Sequence, residues 1–171
     1  ASISNWGWKV VSVQNVVSVS SVVFSGLLSS TTYKVVYNLR NESAAYMCVR
    51  FNDISASSYM YAGFVITFGG STAGFSGTGG SCIPQQYTSA NNTANFPILG
   101  EFDVAGYKSN TGDTKAQLIS MPSTRYRTDA NMDTSYVGGW INLGGSEMSK
   151  VALLASSGNI TGRIILMALT Y

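Results

Sequence analysis

The sequence predicts an all-β chain, an antiparallel β-sandwich of jelly-roll type with about eight to ten strands. Three observations carry this. Apolar residues recur with a period of two in one segment after another, as they do in strands with one buried face. No segment holds the 3.6-residue apolar stripe of an amphipathic helix over three turns. Gly, Asn, Asp and Ser cluster between the alternating runs, where tight turns need them.

The elements follow from the N-terminus. Residues 8–14 and 16–24 are rich in Val and Ser, which suit a pleated surface and disfavour helix. Residues 31–40 set Tyr33, Val35, Tyr37 and Leu39 on one face and Lys34, Asn38 and Arg40 on the other. Residues 45–52 alternate again, with Met47, Val49 and Phe51 opposed to Tyr46, Cys48 and Arg50. Further strands are expected at 60–68, 100–108, 115–121, 136–142 and 150–156, and the run 161–171 closes the chain. Turns are expected at Asn52-Asp53, at 109–112, at 144–146 and at 156–159. From residue 69 to 96 the alternation lapses into a Gly- and Ser-rich stretch that reads as one long irregular loop. At 171 residues the whole chain, 1–171, reads as a single domain with a candidate N-terminal arm at 1–7.

Composition narrows the function. Charged residues make up 11% of the chain against a typical ~25%, and the net charge is only +2. Such a chain lacks the dense cationic face of an electrostatic nucleic-acid binder. Its apolar runs are too short to span a membrane as helices, so neither nucleic acid nor membrane is expected as a partner. Histidine is absent, which removes a Ser–His–Asp triad and a Cys–His dyad. Glu101 and Asp103, at i and i+2, are the nearest thing to a paired-carboxylate site. They read as solvent-facing groups on an edge strand. The run Asp129-Ala130-Asn131-Met132-Asp133 lacks the glycine and closing Glu of a calcium loop. The glycines at 69–70 and 77–80 are not followed by the Lys-Ser/Thr of a phosphate cradle. No enzyme, metal or cofactor is therefore expected. Cys48 and Cys82 read as free thiols, with a disulfide left as the alternative.

Aromatic side chains are the remaining resource. Trp6, Trp8, Phe75, Tyr87, Phe96 and Trp140 are candidate subunit or partner contacts, because aromatics bury large areas. Tyr59, Tyr61 and Trp140 are candidates for stacking on a sugar under a glycan-binding reading.

The order of the pieces resembles small jelly-roll proteins on the virions of tailed bacteriophages: head decoration (cement) proteins, head fibres and tail-fibre domains. The resemblance is carried by Val22-Val-Phe-Ser-Gly-Leu27, by Tyr33-Lys-Val-Val-Tyr-Asn-Leu-Arg40, and by Arg50-Phe-Asn-Asp53 with Ser57-Ser-Tyr59. The terminal Ser157-Gly-Asn-Ile-Thr-Gly-Arg-Ile-Ile-Leu166 completes it. The end, Met167-Ala-Leu-Thr-Tyr171, departs from the aromatic-Gly pair that often closes that group. The resemblance implies a structural protein at the capsid surface, a homo-oligomer (a trimer in the group) that binds the major capsid protein at subunit junctions. Its alternative is a receptor-binding fibre domain that recognises host glycans.

Overall fold

The computed structural model describes residues 7–67, 70–85, 94, 96–108, 112–120, 123–126 and 132–170. All thirteen strands of these residues are antiparallel to their neighbours and fall into two sheets. The small sheet runs β2 (Ser21–Ser25), β12 (Lys150–Ala155), β4 (Met47–Phe51) and β7 (Ile83–Pro84). The large sheet begins β1 (Gly7–Val19), β13 (Ile160–Thr170), β3 (Thr32–Asn41) and β8 (Pro97–Lys108). It continues into β11 (Met132–Asn142), β5 (Tyr59–Thr67) and β6 (Thr72–Gly80). Between β8 and β11, β9 (Thr114–Ser120) and β10 (Ser123–Tyr126) lie end to end and share one position.

Setting aside β5, β6 and β9 to β11, the chain alternates between the sheets except from β4 to β7, which share the small one: β1, β3, β8 and β13 lie in the large sheet and β2, β4, β7 and β12 in the small one. Passing back and forth between the two sheets in this way builds an antiparallel β-sandwich. The five remaining strands are two excursions that widen the large sheet past β8.

Alternation in the sequence places the core. Tyr33, Val35, Tyr37 and Leu39 of β3 all turn inward, as do Met47, Val49 and Phe51 of β4. They meet Phe102 of β8, Ile164 and Leu166 of β13, and Val151 and Leu153 of β12 in one continuous apolar cluster. Tyr37 and Phe102 pack at a tilt of 52° with ring centroids 6.1 Å apart. The Tyr37 hydroxyl donates to Ser123 Oγ at 3.0 Å, so its polar end is satisfied inside the core. Burial pushes the Tyr37 phenol up to about 12, against the opposing effect of the Ser123 hydrogen bond.

The structure corrects the sequence reading in four places. The stretch 69–96 is not one loop. Its first half forms β6, which pairs with β5 from Thr72 to Gly80, and β7 follows at Ile83. Glycine permits this pairing, because a Cβ on Gly77 would collide with the Tyr61 ring that crosses it. The segments 8–14 and 16–24 divide elsewhere: β1 continues through Asn15 to Val19, with a register shift between Val16 and Val19 where Ser18 has a φ of 54°, and β2 begins at Ser21. Cys48 and Cys82 are not free thiols but a disulfide with Cα atoms 5.7 Å apart. Pairing of β4 with β7 sets Cys48 opposite Pro84, and this brings Cys82 within bridging distance. Finally β8, which carries Glu101 and Asp103, is an internal strand flanked by β3 on one side and β9 and β10 on the other. The turn at Asn52-Asp53 is found where expected, with φ of 49° and 60°. Residues 1–6 of the candidate arm lie outside the described residues, and Gly7 already pairs with Thr170.

Candidate functional site

The large sheet has an inner face on the core and an outer face turned away from the small sheet. Two constellations stand on the outer face. The first is ionic. Lys34 of β3 reaches Asp103 Oδ1 at 3.0 Å and Glu101 Oε1 at 3.4 Å, both on the neighbouring β8. The same ammonium lies 5.1 Å from the centre of the Trp8 ring on β1. Partial burial works to lower the Lys34 pKa, but the hydrogen bonds and charges of Asp103 and Glu101 outweigh it and raise the pKa above 10.5. One ammonium held between two carboxylates offsets one of their two charges and clasps β3 to β8.

The second constellation is a trough built by strand register. Gln117 of β9, Trp140 of β11, Met60 of β5 and Thr78 of β6 are cross-strand neighbours and form one row. Two residues along the strands, the next outward row is Ile119 on β9 followed by the small residues Gly138, Ala62 and Ser76 on β11, β5 and β6. Another two residues on, Phe64 and Tyr136 stack with centroids 4.8 Å apart and planes 16° from parallel. Small residues between two aromatic rows leave a depression of about 420 Å³ beside Trp140. A Cβ on Gly138 would meet only the Leu118 carbonyl, at 3.7 Å, so the floor there is open. Lys115 Nζ sits 4.9 Å from the centre of the Trp140 ring. In register Lys115 pairs with Asn142, on the other side of Trp140 from Gly138.

Of the residues expected at a site, Trp140 lines the trough and Trp8 joins the ionic clasp. Tyr59 does neither. Its ring is wholly buried, and its hydroxyl bonds the Phe51 amide at 2.9 Å and donates to the Ile54 carbonyl at 2.9 Å. It holds the 51–54 turn and offers no face to a sugar. Tyr61 tilts against Phe75 at 6.4 Å and both pack on the core, while Tyr61 also contributes to the lining of the trough. Phe75 thus packs against its own hairpin and is half-buried. Phe96 is exposed just before β8. Trp6 and Tyr87 lie outside the described residues, as does Asp129. Asp133 is buried in β11. Among the described residues no group of three His, Cys, Asp or Glu side chains gathers to hold a metal, and no helix is long and apolar enough to cross a membrane. The trough residues Met60, Ser76, Thr78, Gln117 and Gly138 were not singled out from the sequence. Only the outward alternation of Met60, Ala62 and Phe64 hints at them.

Fold and site together define a two-sheet β-sandwich with a widened sheet, a neutral trough and no assembled catalytic group among the described residues. Comparison with known proteins adds little to that class. No family model matches the chain, and no curated protein matches it. Among solved structures, CG-16, a homodimeric agglutinin from chicken liver, is similar at 12% identity over 82% of this chain and 99% of that one, with a TM-score of 0.27. A likeness of that score carries no argument about this chain.

Proposed function

We propose that this protein is a virion surface component of the capsid decoration (cement) kind, held in place by contact area. The observation that supports it is the outer face of the large sheet. Exposed apolar side chains stand on its β1-to-β8 half: Val10 and Val13 on β1 and Leu99 on β8, with Phe96 just before β8. A broad exposed apolar face is the usual mark of an interaction surface. Burying it would stabilise an assembly by about 25 cal/mol per Å². The Lys34 ammonium offsets one of the two carboxylate charges of Glu101 and Asp103, which lowers the cost of desolvating them. The partners of this reading are further copies of the chain and the major capsid protein, at junctions between capsid subunits. The Cys48–Cys82 bridge supports a place in oxidising surroundings such as a virion exterior. The trimeric state comes from the resemblance alone.

Gradient-purified particles should carry the chain in a fixed ratio to the major shell protein, and native mass spectrometry of the isolated protein should give a trimer. The double variant Val13→Asp, Leu99→Asp should detach it from particles with little change in its melting temperature, since both positions are exposed. A monomer missing from purified particles overturns the proposal.

A further inference from the structure

We infer that the trough beside Trp140 is a binding site for one neutral hexopyranose unit of a glycan. The inference does not rest on the capsid role.

Three features of the trough agree on this ligand. The first is a stacking surface. A pyranose ring presents a face of C–H groups that packs on the electron-rich face of an indole. Trp140 is half-buried, which limits its freedom, and the Lys115 ammonium over its ring steadies it further. In register Lys115 stands opposite Asn142, beyond Trp140 from Gly138.

The second feature is space. Beside Trp140, the three strands β11, β5 and β6 carry only the small residues Gly138, Ala62 and Ser76, which leave the depression open. The resulting volume, about 420 Å³, lies within the range of small-molecule sites, about 300–1,000 Å³.

The third feature is the rim. Gln117, Ser76 and Thr78 are exposed and can each donate and accept hydrogen bonds, as sugar hydroxyls also do. No described lining residue carries a charge, and the nearby Lys115 ammonium is already engaged over the Trp140 ring, so the lining itself offers an ionised ligand no counter-charge. A purely apolar ligand would waste the polar rim. A neutral polyol ring with one apolar face suits all three.

The test uses the full chain and a panel of neutral gluco-, galacto- and manno-configured oligosaccharides. Sialylated and uronic oligosaccharides and adenosine serve as competitors in kind. Saturation-transfer NMR and calorimetric titration should find a neutral member that binds with Kd of about 1 mM for each sugar unit engaged. Trp140→Ala should weaken it about ten-fold. Gly138→Leu should abolish it with the melting temperature unchanged, since a side chain there enters open space. Ser76→Leu blocks the trough from β6 and replaces that variant if it fails to fold. Trp8→Ala should leave binding intact. The inference is overturned if no neutral saccharide binds, if binding survives Gly138→Leu or Ser76→Leu, or if acidic sugars or adenosine bind better.

Discussion

From β1 to β8 the large sheet is built on side-chain bulk, with Tyr37, Leu39, Phe102, Ile164 and Leu166 interlocked against the small sheet. From β11 to β6 it is built on the lack of bulk. Gly63, Gly74, Gly77, Gly80, Gly138 and Gly139 line up where neighbouring backbones and rings come close or where a depression must stay open. The first region derives its stability from buried area. The second has less to bury on its outer side and is fastened instead, by the Cys48–Cys82 bridge and by Arg50 Nε, which donates to the Ser81 carbonyl at 3.0 Å. One sheet thus contains a framework and a worked surface. The contrast shows that pairing of strands alone does not require packing bulk on both faces.

The comparison can be broken most directly at Phe102. Phe102→Ala should cost about 3–5 kcal/mol in denaturant unfolding, as a large cavity in a covered core does. A loss under ~1 kcal/mol would mean that the framework is not where stability resides. Next, removing the bridge with Cys48→Ser and Cys82→Ser should cost about 3–4 kcal/mol by loop closure. Hydrogen exchange should then quicken in β5 and β6 ahead of β3 and β13. Uniform quickening would erase the distinction between the two regions.

A pH series sharpens the same contrast. Tyr37 has a folded-state pKa raised to about 12, above its ordinary 10, so its neutral form is the one the fold favours. The stability it contributes is complete below pH 10 and is lost as pH climbs toward 12, at about 1.4 kcal/mol per pH unit. Tyr37→Phe should flatten that alkaline limb in urea midpoints taken across the window. An unchanged slope would show that the phenol is not buried as described.

The smallest effects come from two adjacent glycines. Gly139 faces inward, and a Cβ there would meet the Met60 carbonyl at 2.8 Å and Ile83 Cδ1 at 2.9 Å. Gly139→Ala should destabilise by about 1–3 kcal/mol. Gly138→Ala, on the outer face, should stay within about 0.5 kcal/mol of the parent. Equal melting temperatures for the two variants would contradict the assigned faces of β11.

Legibility in the sequence follows the same division. The framework strands were readable because Tyr33, Val35, Tyr37 and Leu39 announce their buried face by alternation. The segment Thr72–Gly80 was not, since its strand character comes from the partner β5 and not from its own side chains. The disulfide could not be read either, because only the pairing of β4 with β7 brings the cysteines together. Trp140 was recognisable as an aromatic with unspent area. Its surroundings were hidden, because Gly138, Ala62 and Ser76 lie on three strands and become neighbours only through register. Tyr59 misled for a related reason. Its partners, the Phe51 amide and the Ile54 carbonyl, are backbone groups that no side-chain pattern reveals.

The bridge between Cys48 and Cys82 has a mechanical corollary. A pull applied between the two chain termini passes from sulfur to sulfur and skips the 34 peptide steps between them, roughly 115 Å of chain at full extension. Everything inside that covalent ring, the β5–β6 hairpin included, is spared tension along its own backbone. Met60, Ala62, Ser76 and Thr78 would therefore keep their mutual spacing while the rest of the molecule was being stretched.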